Sequence, residues 1–445
     1  MTIDRRHFLG ATGAAFSGLL LSGCAGRMAT QGATAAAPFE RYGPLVADPN
    51  GLLDLPRGFS YRLLSSLGDT MADGGTVPDK ADGMGCLPLS ENEIVLIRNH
   101  ELIPTDDAGG DLASGFGRRD GAIVPGGTTN LVLDATTLAP KREFRTLAGT
   151  IRNCSGGITP WGSWLTCEEA PTGPGQRYGD GLERNHGWVF EVPAAATGLV
   201  DAVPLTAMGR FNHEAACVDP ATGIVYLTED RDDSVLYRFL PDTPGRLADG
   251  GRLQAMVIDG LADTRNWAGP DMATGTSHTV RWIDCTDVEA PQDDLRLRAA
   301  ADGAALIARG EGIHTGTDEV FICSTSGGQR KLGQIFRLVP GRGARADTIE
   351  LFFESESEDQ FNYGDNLTVG PNGHLIVCED QYTDVVDNHL RGITPDGRAY
   401  AFGRLRLQTE LAGGCFSPDG KWFFVNAYAP TRTVAITGPW DRFVA

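Results

Sequence analysis

Short apolar runs bounded by turn residues recur along the chain, while stretches with helical periodicity are scarce. Six runs end in polar residues: Ile94–Glu101, Trp164–Glu169, Val225–Asp230, Val320–Thr325, Leu375–Asp380 and Trp422–Ala427. Each follows a turn signal: Ser-Glu-Asn (90–92), Pro-Trp-Gly (160–162), Pro-Ala-Thr-Gly (220–223), Thr-Gly-Thr-Asp (315–318), Pro-Asn-Gly (371–373) and Pro-Asp-Gly (418–420). Before each turn lies a second short strand. Most of these start at polar residues, around Asp82, Cys154, Asn212–Glu214, Arg309–Glu311, Asp365–Asn366 and Glu410. The pattern predicts six antiparallel hairpins and an all-β fold, a six-bladed β-propeller with loop insertions over residues 41–445. A large β-sandwich is the rival architecture. Residues 106–117 and 171–186 read as Gly- and Asp-rich loops. The interval 262–303 predicts one short helix, Asp293–Ala301, placed to lid a mouth of the propeller.

Hairpin geometry turns this pattern into chemistry. The start of the first strand and the end of the second lie side by side, opposite the turn. All six polar ends therefore converge on one mouth if these are inner strands. That mouth would hold Asp82, Glu101, Cys154, Glu168, Glu169, Glu214, Glu229, Asp230, Glu311, Asp365, Glu379 and Asp380. So many carboxylates cannot stay ionised together without cations, so a multi-metal site is expected. Carboxylate and amide oxygens suit calcium. A thiolate at Cys154 suits a softer or trivalent metal such as iron. His100, His213 and His314 are further candidate ligands. Arg309 is the cation embedded in this set, with a planar fork matched to phosphate oxygens; a salt bridge to a neighbouring acid is its alternative role.

Composition narrows the partners. The formal charge is −20, which argues against nucleic acid because phosphate-backbone binding needs clustered Lys and Arg. The eight cysteines after Cys24 form no Cys-x-x-Cys pair, so no disulfide framework is expected. The N-terminus reads Arg5-Arg6-His7-Phe8-Leu9, then a Gly/Ala-rich apolar stretch, then Leu-Ser-Gly-Cys (21–24). This is a twin-arginine signal over residues 1–23 with a lipobox ending at Cys24, the residue a lipid anchor would modify. The expected location is the periplasm or cell envelope, with the twin-arginine translocase as a partner during export. Residues 24–40 read as a flexible linker, and a monomer is the expected state.

The segments Asn-Cys-Ser-Gly-Gly-Ile-Thr-Pro-Trp-Gly-Ser-Trp-Leu-Thr-Cys-Glu-Glu (153–169) and Gly-Arg-Phe-Asn-His-Glu-Ala (209–215) resemble the PhoX family of alkaline phosphatases. Gly-Gln-Ile-Phe-Arg-Leu-Val-Pro (333–340), Asp-Asn-Leu-Thr-Val (365–369), Phe-Ser-Pro-Asp-Gly (416–420) and Ala-Ile-Thr-Gly-Pro-Trp (435–440) extend the resemblance from about residue 50 to the C-terminus. It implies an extracytoplasmic hydrolase of small phosphate monoesters carrying a ferric pair with calcium ions. At the matching positions, Cys154 would be a thiolate ligand of iron, and Glu169, Glu214 and Glu311 further metal ligands. Asp365, Glu379 and Asp380 would lie on the calcium side, and Arg309 would hold the substrate phosphate. The tail departs from the family, which usually shows a Gln and a Gly after the Asn at the place of Asn426. Two other readings stay open: a calcium-dependent propeller hydrolase of another class, such as a lactonase, and a non-catalytic metal-binding propeller.

Overall fold

A computed structural model describes residues 39–441. The expected export signal, Cys24 and most of the expected linker lie outside them. The described chain is all-β apart from the helix Leu295–Ala301 and two short 3-10 turns. No helix among the described residues is long and apolar enough to cross a membrane.

Six hairpins form where the turn signals place them. Their first strands are Ala81–Ser90, Asn153–Ile158, His213–Val218, Gly310–Thr315, Gly364–Val369 and Leu411–Phe416. Their second strands are Glu93–His100, Ser163–Glu168, Val225–Glu229, Val320–Ser324, Leu375–Glu379 and Phe423–Ala427. Each first strand packs on the next, and the last packs on the first, so they ring a common axis. Apolar side chains fill the spaces between neighbouring hairpin sheets. Leu165, Cys167 and Val189 of the second meet Ala216, Val225 and Leu227 of the third, for example. Met84, Cys86 and Leu96 of the first meet Cys415 and Phe424 of the last.

The arrangement is propeller-like, with five principal sheets carrying the six hairpins. The third and fourth hairpins share one nine-stranded sheet, joined where Ser277–Asp284 pairs with both Gly251–Ile258 and Asp347–Glu354. Closure comes from the N-terminal side. Ser60–Ser66 pairs with Arg432–Thr437 and completes the sixth hairpin's sheet, so the two ends of the domain share one set of ladder bonds.

Candidate metal centre

All six hairpins end the same way. The first residue of each inner strand pairs with the last residue of its partner: Ala81 with His100, Asn153 with Glu168, His213 with Glu229, Gly310 with Ser324, Gly364 with Glu379 and Leu411 with Ala427. A bulge follows within each inner strand, at Ala81/Met84, Asn153/Gly156, His213/Ala216, Gly310/Ile313, Gly364/Leu367 and Ala412/Cys415. Bulges bend a strand and re-aim its side chains. Here the re-aimed position is the second residue of each inner strand: Asp82, Cys154, Glu214, Glu311, Asp365 and Ala412.

One further hydrogen bond closes each end. The amides of Glu101, Glu169, Asp230, Thr325, Asp380 and Tyr428 donate to the carbonyls of Lys80, Arg152, Asn212, Arg309, Tyr363 and Glu410. Four of those carbonyl residues (Lys80, Arg152, Arg309, Tyr363) sit in the left-handed region, φ 49–55°. Three positions per hairpin thus gather at one mouth, and twelve of these eighteen side chains line its cavity.

They enclose a cavity of about 260 Å³ lined by Asp82, Glu101, Arg152, Cys154, Glu169, Glu214, Asp230, Arg309, Glu311, Asp365, Asp380, Tyr382 and Glu410. Donor atoms cluster into three triads, each within 4.8 Å: Cys154–Glu169–Glu214, Glu214–Glu311–Asp365 and Asp365–Asp380–Glu410. Glu214 and Asp365 each belong to two triads, so the three form one chain across the cavity. The thiol stands only at one end.

Electrostatics shows what the cavity lacks. Burial, then repulsion from neighbouring acids, pushes Asp82, Glu214, Glu311 and Glu410 well above the usual carboxylate range. Glu169 is raised by burial against the pull of Arg152, and Asp365 reaches about 8 through burial and Asp380. The Cys154 thiol is likewise raised by burial and Glu214, and lies 3.3 Å from the His213 carbonyl. Only Asp230 is held low: despite burial, the Arg309 guanidinium stabilises its carboxylate. A carboxylate chain in this state is short of positive charge, and its oxygens and single sulfur fit metal cations as donors.

Two arginines supply part of that charge. Arg309 donates to both Asp230 oxygens (2.7 and 3.2 Å), to Glu311 (2.9 Å) and to the Tyr382 hydroxyl (3.0 Å). The ion pair foreseen as its alternative role is therefore present, and the side chain also forms part of the cavity wall. Arg152 bridges Glu101 and Glu169, with 2.5 Å to each.

The model of the family described as alkaline phosphatase PhoX matches residues 40–135 and 114–431. The chain belongs to the PhoX family. Among solved structures, Pseudomonas fluorescens PhoX in complex with vanadate, a transition state analogue, is 19% identical. The match covers 91% of this chain and 99% of that one, with a TM-score of 0.69, and shows a shared fold. A Xanthomonas campestris gluconolactonase is 12% identical over 89% of this chain and 98% of its own, with a TM-score of only 0.41. No curated protein sequence matches.

Three of the carboxylates expected at the mouth of this PhoX-family chain point elsewhere. Glu379 accepts from the amides of Asn362 (2.9 Å) and His389 (3.0 Å) and pairs with Arg391 at 2.6 Å. Glu168 accepts from the amides of Ile151, Gly187 and Trp188 and contacts His186 at 2.6 Å. Glu229 accepts from the Tyr237 hydroxyl at 3.0 Å and faces Arg296 of the helix at 3.6 Å. The reason is strand alternation: the last ladder residue turns back among the sheets, and the residue after it faces the axis. The histidines are structural too. His100 is held by the Asp79 carbonyl and Thr129, and His213 contacts the Gly209 carbonyl and is driven down to about 3 by burial. His314 sits beyond the acidic cavity, in an apolar stretch of the channel with Met84, Ile158 and Leu367.

The sequence reading missed Arg152 and Tyr382 as cavity residues, and it gave Glu410 only as a polar strand entry, outside the donor set. Arg152 carried a signal, since Arg152-x-Cys154 has the same spacing as Arg309-x-Glu311. Glu410 holds the equivalent place in the sixth hairpin. Where the tail departs from the family, Tyr428 hydrogen-bonds Glu101. The described cysteines are all free thiols.

Proposed function

We propose that this chain hydrolyses phosphate monoesters at the acidic cavity, with iron at the end that holds the thiol and calcium at the all-oxygen end. One observation carries this reading: three linked triads in which sulfur enters at one end only. Cys154, Glu169, Glu214 and Glu311 would hold a ferric pair, and Asp365, Asp380 and Glu410 calcium, with Asp82 and Glu101 as neighbouring acids. When bound, these metals supply charge neutralisation and nucleophile activation. Arg309 keeps its guanidinium plane fixed between Asp230 and Glu311 with Tyr382 under it, 4.9 Å from the ring centre, ready for phosphate oxygens. Arg152 offers a second cation in the same cavity wall, which favours the spread charge of the transferring phosphoryl group. A lactonase-like calcium site needs no thiol, so the position of Cys154 favours the phosphatase reading over that rival.

The same reading includes a count of six blades, with the nine-stranded sheet contributing two. What supports it is the repeated hairpin register and the closed ring of inner strands. It also includes export by the twin-arginine route, with Cys24 as the lipid-anchored residue of the mature protein. Replacing Arg5-Arg6 by Lys-Lys and following the protein by cell fractionation tests this; unchanged delivery to the envelope would refute it.

The activity test is phosphate release from phenyl phosphate at alkaline pH by protein purified with calcium and analysed for iron. Activity lost on chelation, and iron absent from Cys154→Ser, is the expected result. Full activity in Cys154→Ser would overturn the assignment of iron to the thiol end.

A further inference from the structure

Beside the metal cavity lies a second pocket of about 270 Å³ that shares Arg152 and Glu169 as a common wall. Its remaining wall comes from residues 170–178 and from Asn212, Arg231, Gln292 and Asp293. In a chain of net charge −20, three arginines gather here: Arg152, Arg177 and Arg231. Two have carboxylate partners, Arg152 with Glu101 and Glu169, and Arg231 with Asp293 at 3.3 Å. Arg177 is exposed and makes no ion pair among the described residues; it stacks 4.7 Å over the Tyr178 ring and donates to the Tyr178 hydroxyl at 2.8 Å. Tyr178 itself has φ +63°, a conformation that costs a bulky side chain energy and is maintained only when its surroundings demand it. The loop supplies that demand: the Thr172 hydroxyl donates to the Arg177 carbonyl, and the His186 amide donates to the Thr172 carbonyl at 2.7 Å. The strained residue thus holds one unpaired guanidinium at the rim of a pocket that opens beside the site of chemistry.

We infer that this pocket is the leaving-group subsite, and that it selects phosphate monoesters whose alcohol carries a second anionic group. The inference rests on the phosphatase reading. In the reaction, the bond from phosphorus to the alcohol oxygen breaks and a bond from phosphorus to a water oxygen forms. A proton from that water ends on the departing alcohol, giving alcohol and inorganic phosphate. With the phosphoryl group between Arg309 and Arg152, the alcohol extends past Arg152 toward Arg177. An ester with a neutral alcohol leaves Arg177 unused, whereas a carboxylate or second phosphate meets an unpaired guanidinium fork. Binding energy from such a remote group acts on the reacting centre.

The test compares kcat/KM for phenyl phosphate, 4-carboxyphenyl phosphate and 1,4-phenylene bisphosphate in wild type, Arg177→Ala and Arg177→Glu. The readout is the ratio of each anionic ester to phenyl phosphate. Wild type should prefer the anionic esters, and the ratio should fall about threefold in Arg177→Ala and about tenfold in Arg177→Glu, as for a partly exposed charge pair. A fall with only one of the two esters identifies carboxylate or phosphate as the recognised group. No preference in wild type, or a ratio unmoved by Arg177→Glu, overturns the inference. If no ester is turned over, the phosphatase reading fails by itself. Calorimetry of the metal-loaded protein with 4-carboxybenzylphosphonate and benzylphosphonate then decides, and equal affinities overturn the subsite.

Discussion

Gly312 should be hard to replace, although it contributes no ligand. It lies in the bulge between Gly310 and Ile313, where the fourth inner strand packs against the fifth. A Cβ built there would stand 2.5 Å from the Leu367 nitrogen, 2.7 Å from the Asp365 oxygen and 2.8 Å from the Asn366 Cα. All three are backbone atoms, so no rotamer change relieves the overlap. Restoring a separation of about 3.5 Å requires the two strands to part by about 1 Å. Overpacking of this kind costs about 1–3 kcal/mol. The displacement falls between Glu311 and Asp365, two members of one triad. A shift of about 1 Å in positioned groups lowers turnover by about 100-fold. Gly312→Ala should therefore lower Tm by a few degrees, weaken the rise in Tm expected on adding calcium, and reduce phosphatase turnover far more than stability. Gly269→Ala is the control, because a Cβ there meets nothing within 4 Å. Calorimetry with and without calcium, together with phosphate release, reads all three effects. A Gly312→Ala protein that matches wild type in both Tm and calcium response would refute the close-approach argument.

Three further outcomes follow from the buried acids. Burial outweighs Arg296 and raises Glu229 from 4.5 to about 8, so its favourable contribution is complete below about 4.5 and is lost as pH rises through 8. Glu229→Gln should gain on wild type by about 1.4 kcal/mol per pH unit between pH 5 and 8 in urea unfolding; a gap independent of pH would refute this. The same sign applies to the metal cavity, where Asp365 is raised to about 8. Chelation should therefore lower Tm more at pH 9 than at pH 6, and equal losses at both would show that the carboxylates do not carry the effect. Finally, Glu379→Gln breaks a buried pair with Arg391 and should cost about 3 kcal/mol with little change in metal response. Asp380→Asn should do the reverse, so paired Tm measurements with and without calcium separate two adjacent acids.

That last pair shows where the sequence was readable and where it was not. The six hairpins and the gathering of their polar ends follow from local signals, a turn motif and a run of apolar residues, and these survive in every repeat. The choice between Glu168 and Glu169, or Glu379 and Asp380, depends on where the ladder stops, and the apolar run does not mark that residue. Arg152 was hidden differently: its spacing to Cys154 matches that of Arg309 to Glu311, but a metal-ligand pattern marks acids and thiols, not a cation beside them. The pairing of Ser60–Ser66 with Arg432–Thr437 joins segments some 370 residues apart, and no local pattern encodes a partner at that distance. The helix, expected from Asp293, begins at Leu295 with Asp294 at its N-cap.

Repetition also explains why the site is asymmetric. Each hairpin presents the same three backbone positions, so geometry is nearly constant around the ring and only residue identity differs. At the second inner-strand position five hairpins offer a donor, four carboxylates and one thiol, whereas the sixth has Ala412. At the position after the second strand four offer carboxylates, whereas the fourth and sixth have Thr325 and Tyr428. The sixth hairpin nonetheless returns an acid from its third position, Glu410, which completes the last triad. The ring therefore becomes a chain of donors with a soft end at Cys154 and a hard end at Glu410. Arg152 and Arg309 occupy that same third position, so one backbone repeat supplies both the donors and the cations that flank them.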